Sequence, residues 1–234
     1  IPYPNYTQIN QTIQSVGAKV KYVELENLGK AIAELNPKVV YLSNPNNPYG
    51  YVYDPRPLIS EFADTYFIID EAYHEYHPDS SVFQFAQDLE NLIVVRTFSK
   101  GLGIAGLRLG YLTSSSYIIN KIRSIKNFKD VSSIAEAAGV AILQNIGLVE
   151  KDIQKTLKAK KNFIAKIKTA KVYDSYTNFV LIEHPNIQNI MDDLKKENIL
   201  VRDRQNYVNN TMRVTIGTPR IMTKVAKIIN SYEI

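Results

Sequence analysis

The chain contains no cysteine, which excludes disulfides, thiolate metal sites and a cysteine nucleophile, and suits a reducing compartment. Its three histidines, His74, His77 and His184, are too few and too scattered to suggest a metal centre. No run approaches the ~18 apolar residues that a membrane span needs. No basic start followed by an apolar core suggests a secretory signal. The first residue is isoleucine rather than methionine, so the natural start, with any signal on it, is expected to lie outside these residues.

What is present is an ordinary soluble balance. The 234 residues are 45% hydrophobic and 22% charged, enough for one large domain or one and a half smaller ones. The formal charge is +5 and the sequence pI about 9.1. Such a balance suits anionic partners, either phosphorylated small molecules or nucleic acid. Much of the excess, however, falls between Lys151 and Lys171, where Ile153, Leu157, Phe163, Ile164 and Ile167 recur at helical spacing. That pattern predicts an amphipathic helix with one solvated basic face.

Short runs rich in Val, Ile and Tyr alternate with helical patterns along the first half. Strands are predicted at 21–25, 38–43, 65–72, 92–98 and 108–113. Helical segments "NYTQINQTIQSVG", "GKAIAEL" and "DPRPLISEFAD" lie between several of them, the last opening on Asp54 as an N-cap with proline in its first turn. This alternation predicts an α/β fold, a mostly parallel sheet with helices on both faces. After about Gly147 the pattern changes to a smaller C-terminal α+β domain. The expected division is 1–146 for a large domain, 147–169 for a long connecting helix and 170–234 for the small domain.

In parallel sheets of this kind a ligand sits beyond the carboxyl ends of the strands. Asn47 follows one predicted strand, Asp70 closes the next, and Lys100 follows a third. Lys100 lies in "VVRTFSKGLGIAGLRLGYL", before Gly101, Gly103, Gly106 and Gly110, a loop whose backbone something can approach closely. Asp70 ends the apolar run "FIID", where an unpartnered carboxylate would be costly. Taken singly, each has a plain reading: a surface lysine, a strand-end cap and an Asn-Pro turn. Together, an amine, a carboxylate and an amide at one rim, with the hydroxyls of Thr97 and Ser99, suit pyridoxal phosphate. That cofactor needs a lysine, an acid at its ring nitrogen, hydrogen bonds to its ring oxygen and a cradle for its phosphate.

The ordered set "NPNNPYG", "IDEAY" and "SKGLGIAGLRLGY", spaced 23, 30 and 8 residues apart from Asn47 through Asp70 and Lys100 to Arg108, resembles the fold-type-I aminotransferases of class I/II. Within them it is most similar to the histidinol-phosphate branch, also in "LVRDR" and "MRVTIGTP". The resemblance covers essentially the whole chain and implies an aspartate aminotransferase-like fold. It implies a cytoplasmic homodimer acting on small molecules, glutamate or 2-oxoglutarate and a phosphorylated amine such as histidinol phosphate, as in histidine biosynthesis. Neither nucleic acid nor a membrane is an expected partner.

The resemblance also implies roles. Lys100 is the Schiff-base lysine and proton shuttle, Asp70 the partner of the ring nitrogen, and Asn47 and Tyr73 the partners of the ring oxygen. Thr97, Ser99 and Arg108 hold the phosphate, and Tyr3 stacks on the ring. Arg213 grips the substrate carboxylate, and Arg202 a second anion, unless it merely pairs with Asp203. Relatives carry roughly a hundred further residues ahead of this start, including a first strand, a phosphate loop and a tyrosine lent across the dimer. Without them the cofactor site is expected to be incomplete. The stretch Lys126 to Lys129 lacks the proline seen in the histidine branch, which leaves other phosphorylated or sugar-derived amines open. Alternatives are a threonine-phosphate decarboxylase-like reaction on the same scaffold and a non-enzymatic effector domain of a regulator.

Overall fold

The computed structural model describes residues 1–6, 8–126 and 131–233; Asn127, Phe128 and Lys129 of the proline-free stretch lie outside the described residues. The chain divides into two compact units. The first comprises Ile1–Asn47 and Val52–Val149, the second Pro48–Tyr51 and Glu150–Ile234.

In the first unit the elements follow in order: α1 (Gln8–Ser15), α2 (Leu28–Leu35), β1 (Val39–Ser43), α3 (Arg56–Glu61), β2 (Tyr66–Asp70), β3 (Leu92–Thr97), β4 (Gly110–Ser114), α4 (Ser116–Ile125) and α5 (Ser133–Gln144). The four strands form one sheet in the order β1-β2-β3-β4. The first three run parallel and β4 returns antiparallel to β3. Leu28 and Ile32, one turn apart on α2, and Leu58 and Ile59 on α3 pack with Val40, Leu42, Phe67, Ile69, Leu92 and Val94 of the strands. Full burial of each such side chain contributes about 1.5–3 kcal/mol.

Three expectations need correction. Residues 21–25 do not form a strand: Val23 makes a single bridge to Pro2, and Leu25 begins a short 3₁₀ turn. β-Branched composition alone does not make a strand where no neighbour continues the ladder. The strand expected at Arg108 starts instead at Gly110, because Ala105–Leu107 form a 3₁₀ turn capped by Arg108 at φ 53°. Asp54 lies one residue ahead of the cap position, Pro55, yet its Oδ1 still accepts the Arg56 amide at 3.1 Å.

α6 (Ile146–Ile164) contains the division between the units. In the second unit, β5 (Lys171–Val172), β6 (Phe179–Glu183), α7 (Ile187–Lys196), β7 (Arg202–Asp203), β8 (Thr211–Thr215) and α8 (Pro219–Ile229) follow. The strands pair antiparallel in the order β5-β6-β8-β7. Ile187, Ile190 and Leu194 on α7 and Met222, Val225, Ala226 and Ile229 on α8 recur every three or four residues, so each helix turns one apolar stripe to a core shared with Val180, Ile182, Met212 and Val214.

The basic helix is shorter than expected, and Lys160 departs from its solvated face. Lys160 is buried, seven residues after Ile153 and three before Phe163 and so on the same face as both. Its amine donates to the Ser175 and Thr177 carbonyls at 2.6 and 2.7 Å. The same loop donates the Tyr176 amide to the Gly50 carbonyl at 2.8 Å. Gly50 sits at φ +88°, and a Cβ there would lie 2.2 Å from Ser175 Oγ, so glycine is required by both conformation and space.

Candidate active site

The parallel register sets the rim. Ser43 pairs with Asp70 and Asp70 with Val95, so β1, β2 and β3 end side by side. Asn44 N donates to Asp70 O at 2.8 Å and Glu71 N to Val95 O at 2.9 Å, carrying the pairing past the strand ends. Because β4 runs the other way, its start lies at the same rim: Thr97 pairs with Gly110 and Phe98 N donates to Leu109 O at 3.0 Å. Asn47, Asp70, Thr97, Ser99, Lys100 and Arg108 are thus gathered by topology at one end of one sheet.

Asp70 is the electrostatic centre of this rim. Its Oδ2 accepts the Tyr41 hydroxyl at 2.5 Å and its Oδ1 the Ala72 amide at 3.0 Å. Burial pushes its pKa up, against the pull of those two hydrogen bonds and of the Lys100 charge. Burial, and then the Asp70 charge, raise the Tyr41 hydroxyl well above its ordinary value, so it stays a donor. A carboxyl in this state favours an added N–H or cationic partner. Lys100 is exposed, with its Nζ 5.6 Å from the centre of the buried Tyr73 ring.

The neighbouring loop supplies hydroxyl, amide and guanidinium donors. Thr97 Oγ1 accepts the Ser99 amide at 3.0 Å, closing the turn that leads to Lys100. Arg108 is exposed, donating through Nη1 to Ala105 O at 3.2 Å. At the β1 end, buried Asn47 donates its amide to Ser43 Oγ at 3.3 Å. Ser43 Oγ in turn donates to Asn5 Oδ1 at 2.9 Å, and Asn46 Nδ2 to Pro4 O at 3.3 Å. These bonds tie the segment carrying Tyr3 to the rim; the Tyr3 ring meets Tyr22 edge-on at 5.8 Å. The residue types and charges of the rim fit pyridoxal phosphate: an amine, a half-buried acid and a loop with polar donors.

Two residues the sequence reading did not single out support this rim. Tyr41 looked like an ordinary strand former, although it lies two residues before Ser43 on the same strand face. Glu71, fully buried, binds Arg96 of β3 at 2.8 Å and also accepts from Ser81 Oγ at 2.9 Å and Val82 N at 2.7 Å. Arg96 lies 4.1 Å from the Phe83 ring centre. A buried carboxylate beside Asp70 with a distant arginine partner leaves little local signal.

The second unit carries its own candidate anion site. Arg202 on β7 lies directly opposite Arg213 on β8. Like charges facing each other across strands are unfavourable, and bound anions relieve the repulsion. Arg213 also lies over the Phe179 ring at 4.6 Å. Asp203 Oδ1 accepts the Gln205 amide at 2.8 Å.

Among the described residues no group of three or more His, Asp or Glu could hold a metal ion, and no helix is long and apolar enough to cross a membrane. The family pattern described as "Aminotransferase class I and II" matches residues 1–229. The chain is 33% identical, over 97% of its length, to the histidinol-phosphate aminotransferase of Methanococcoides burtonii and spans 66% of that protein. It is 32% identical, over 90% of its length, to a dihydroxyacetone phosphate transaminase of Campylobacter jejuni, of which it spans 59%. The chain therefore covers less than two thirds of the length of these relatives. The structure superposes with a TM-score of 0.86, at 25% identity, on histidinol-phosphate aminotransferase from Sinorhizobium meliloti in complex with pyridoxal-5'-phosphate. That match covers 98% of this chain and 71% of the other.

Proposed function

As the chain belongs to the class I and II aminotransferases, we propose that its parent protein moves an amino group between glutamate/2-oxoglutarate and a phosphorylated amine, with histidinol phosphate as the leading candidate. The observation that carries the reading is the half-buried Asp70 carboxyl, held by Tyr41 and acted on by the Lys100 charge at one sheet rim. Pyridoxal phosphate, when bound, supplies an electron sink for the pair left when the substrate α-carbon loses its proton. Asp70 would hold an N–H at the ring nitrogen, and Asn47 and Tyr73 would contact the ring oxygen. Thr97, Ser99 and Arg108 would take the phosphate, and Tyr3 would stack on the ring. Lys100 would hold the cofactor through Nζ and move the proton at the substrate α-carbon.

Substrate binding falls to the paired arginines. Arg213 takes the α-carboxylate and Arg202 the second anion, a phosphate on one substrate and a side-chain carboxylate on the other. A planar guanidinium suits both anions. The opposed register of the two arginines supports this reading, and the names of the relatives, which act on histidinol phosphate and dihydroxyacetone phosphate, favour a phosphorylated partner. A cytoplasmic homodimer is part of the same proposal.

The test is product analysis of the full-length protein with pyridoxal phosphate. Formation of glutamate from 2-oxoglutarate, dependent on histidinol phosphate, supports the reading. Carbon dioxide released from threonine phosphate without need of 2-oxoglutarate contradicts it.

A further inference from the structure

Directly after Tyr73, the short turn His74–Tyr76 buries an acid that none of the roles above uses. The Glu75 side chain is 9% exposed, and neither of its carboxyl oxygens makes a hydrogen bond of ordinary geometry, with only the peptide N–H groups of Glu75 and Gly101 acting on it as donors. Its Oε1 lies 3.5 Å from His74 Nδ1, but that nitrogen is also 3.2 Å from the Glu71 carbonyl. A buried acid without a well-aligned donor is costly.

The stem of Glu75 lies against Gly101, the residue after Lys100. A Cβ built on Gly101 would fall 2.7 Å from Glu75 Cβ and 2.8 Å from both Cγ and Cδ. The glycine therefore leaves room for this carboxyl to lie against the peptide that follows Lys100.

We propose that Glu75 is a positioning residue for Lys100, its carboxyl holding the Lys100–Gly101 turn in one arrangement when ionised and another when protonated. The inference deepens the proposed function, since it takes Lys100 as the cofactor-bearing amine. Burial raises the Glu75 pKa to about 7, opposed by its own peptide N–H, by Arg96 on β3 and by the Gly101 peptide N–H, and assisted by the Glu71 charge. Burial, with help from Arg96, pushes His74 down to about 4. His74 thus stays neutral while Glu75 titrates, and the switch belongs to one group. Once ionised, the carboxylate attracts the Gly101 N–H; once protonated, it becomes a donor and releases it.

The experiment measures Lys100 in the full-length chain without cofactor. Competitive acetylation by acetic anhydride, read by mass spectrometry of the Lys100 peptide between pH 5.5 and 9, follows the amine's own titration plus any neighbouring group. The parent protein is expected to show a further step near pH 7 of about fivefold or more, which Glu75→Gln abolishes. No such step in the parent, or the same step in Glu75→Gln, overturns the proposal. Should Glu75→Gln fail to fold, Gly101→Ala serves: its Cβ displaces the carboxyl and is expected to move the step, and an unmoved step overturns the proposal. Adding pyridoxal phosphate separates the two claims. A step with no visible absorbance band in any variant removes the cofactor reading and keeps the Glu75 effect. A band with no step does the reverse.

Discussion

Replacing Glu71 with alanine is expected to destabilise the first unit strongly. The carboxylate is fully buried and Arg96 only 14% exposed, so little solvent would reach the arginine once its partner is gone. Three hydrogen bonds converge on the two oxygens, from Val82 N at 2.7 Å, Ser81 Oγ at 2.9 Å and Arg96 Nε at 2.9 Å, and Arg96 Nη2 makes an ion-pair contact at 2.8 Å. Removing one partner of a buried ion pair costs about 3–5 kcal/mol, a figure that includes the orphaned Val82 amide at ~1–3 kcal/mol. Arg96 keeps Ser81 Oγ at 2.8 Å and the Phe83 ring, which places the expected loss near the lower end, about 3 kcal/mol. For a chain of this size that corresponds to roughly 6–12 °C in Tm. Glu71→Gln retains an acceptor for Val82 N and is expected to lose about half as much. Urea unfolding followed by circular dichroism measures both, and a double-mutant cycle with Arg96→Ala isolates the pair. A loss under about 1 kcal/mol for Glu71→Ala, or equal losses for both variants, would refute the reasoning.

Lys160→Met strips two buried carbonyls of their donor and should destabilise by ~1–3 kcal/mol at neutral pH. Burial lowers Lys160 to about 8 from 10.5, so between those values the unfolded chain holds more protons and parental stability rises with pH; melting curves of the variant should lack that rise. Asp70 is raised by burial and lowered by the Tyr41 hydrogen bond, so its contribution to stability falls as pH climbs from its unfolded towards its folded pKa. Tyr41→Phe should extend that fall to higher pH, visible as a growing gap in Tm; an identical pH profile would contradict the Tyr41 assignment. Arg202→Ala removes charged hydrogen bonds of ~1.5–3 kcal/mol, giving a roughly 10- to 100-fold higher KM for the phosphorylated substrate with unchanged cofactor affinity. Equal losses of both would argue against its role.

Polar residues that end apolar strands made the rim legible. Asn47, Asp70 and Lys100 stand out because amides, acids and amines are rare there, and parallel pairing brings strand ends together whatever the loops do. Tyr41 was hidden because tyrosine is a normal strand former, and its hydroxyl matters only once β1 lies beside Asp70. Glu71 and Arg96 lie 25 residues apart, and only the β2–β3 register joins them. The opposition of Arg202 and Arg213 likewise depends on which residues of β7 and β8 pair. Composition misled at 21–25, where Val23 finds one bridge and no ladder, and at Lys160, whose position between Ile153 and Phe163 on one helix face marked it as buried despite its charge.

The most direct test is the absorbance of the full-length protein with pyridoxal phosphate, before and after glutamate, in the parent and in Lys100→Ala. The account predicts a visible band in the parent that moves towards the ultraviolet on adding glutamate, and no such band in Lys100→Ala. A band of equal strength in the variant, with normal turnover, would contradict the assignment of Lys100 and with it the reading of the rim.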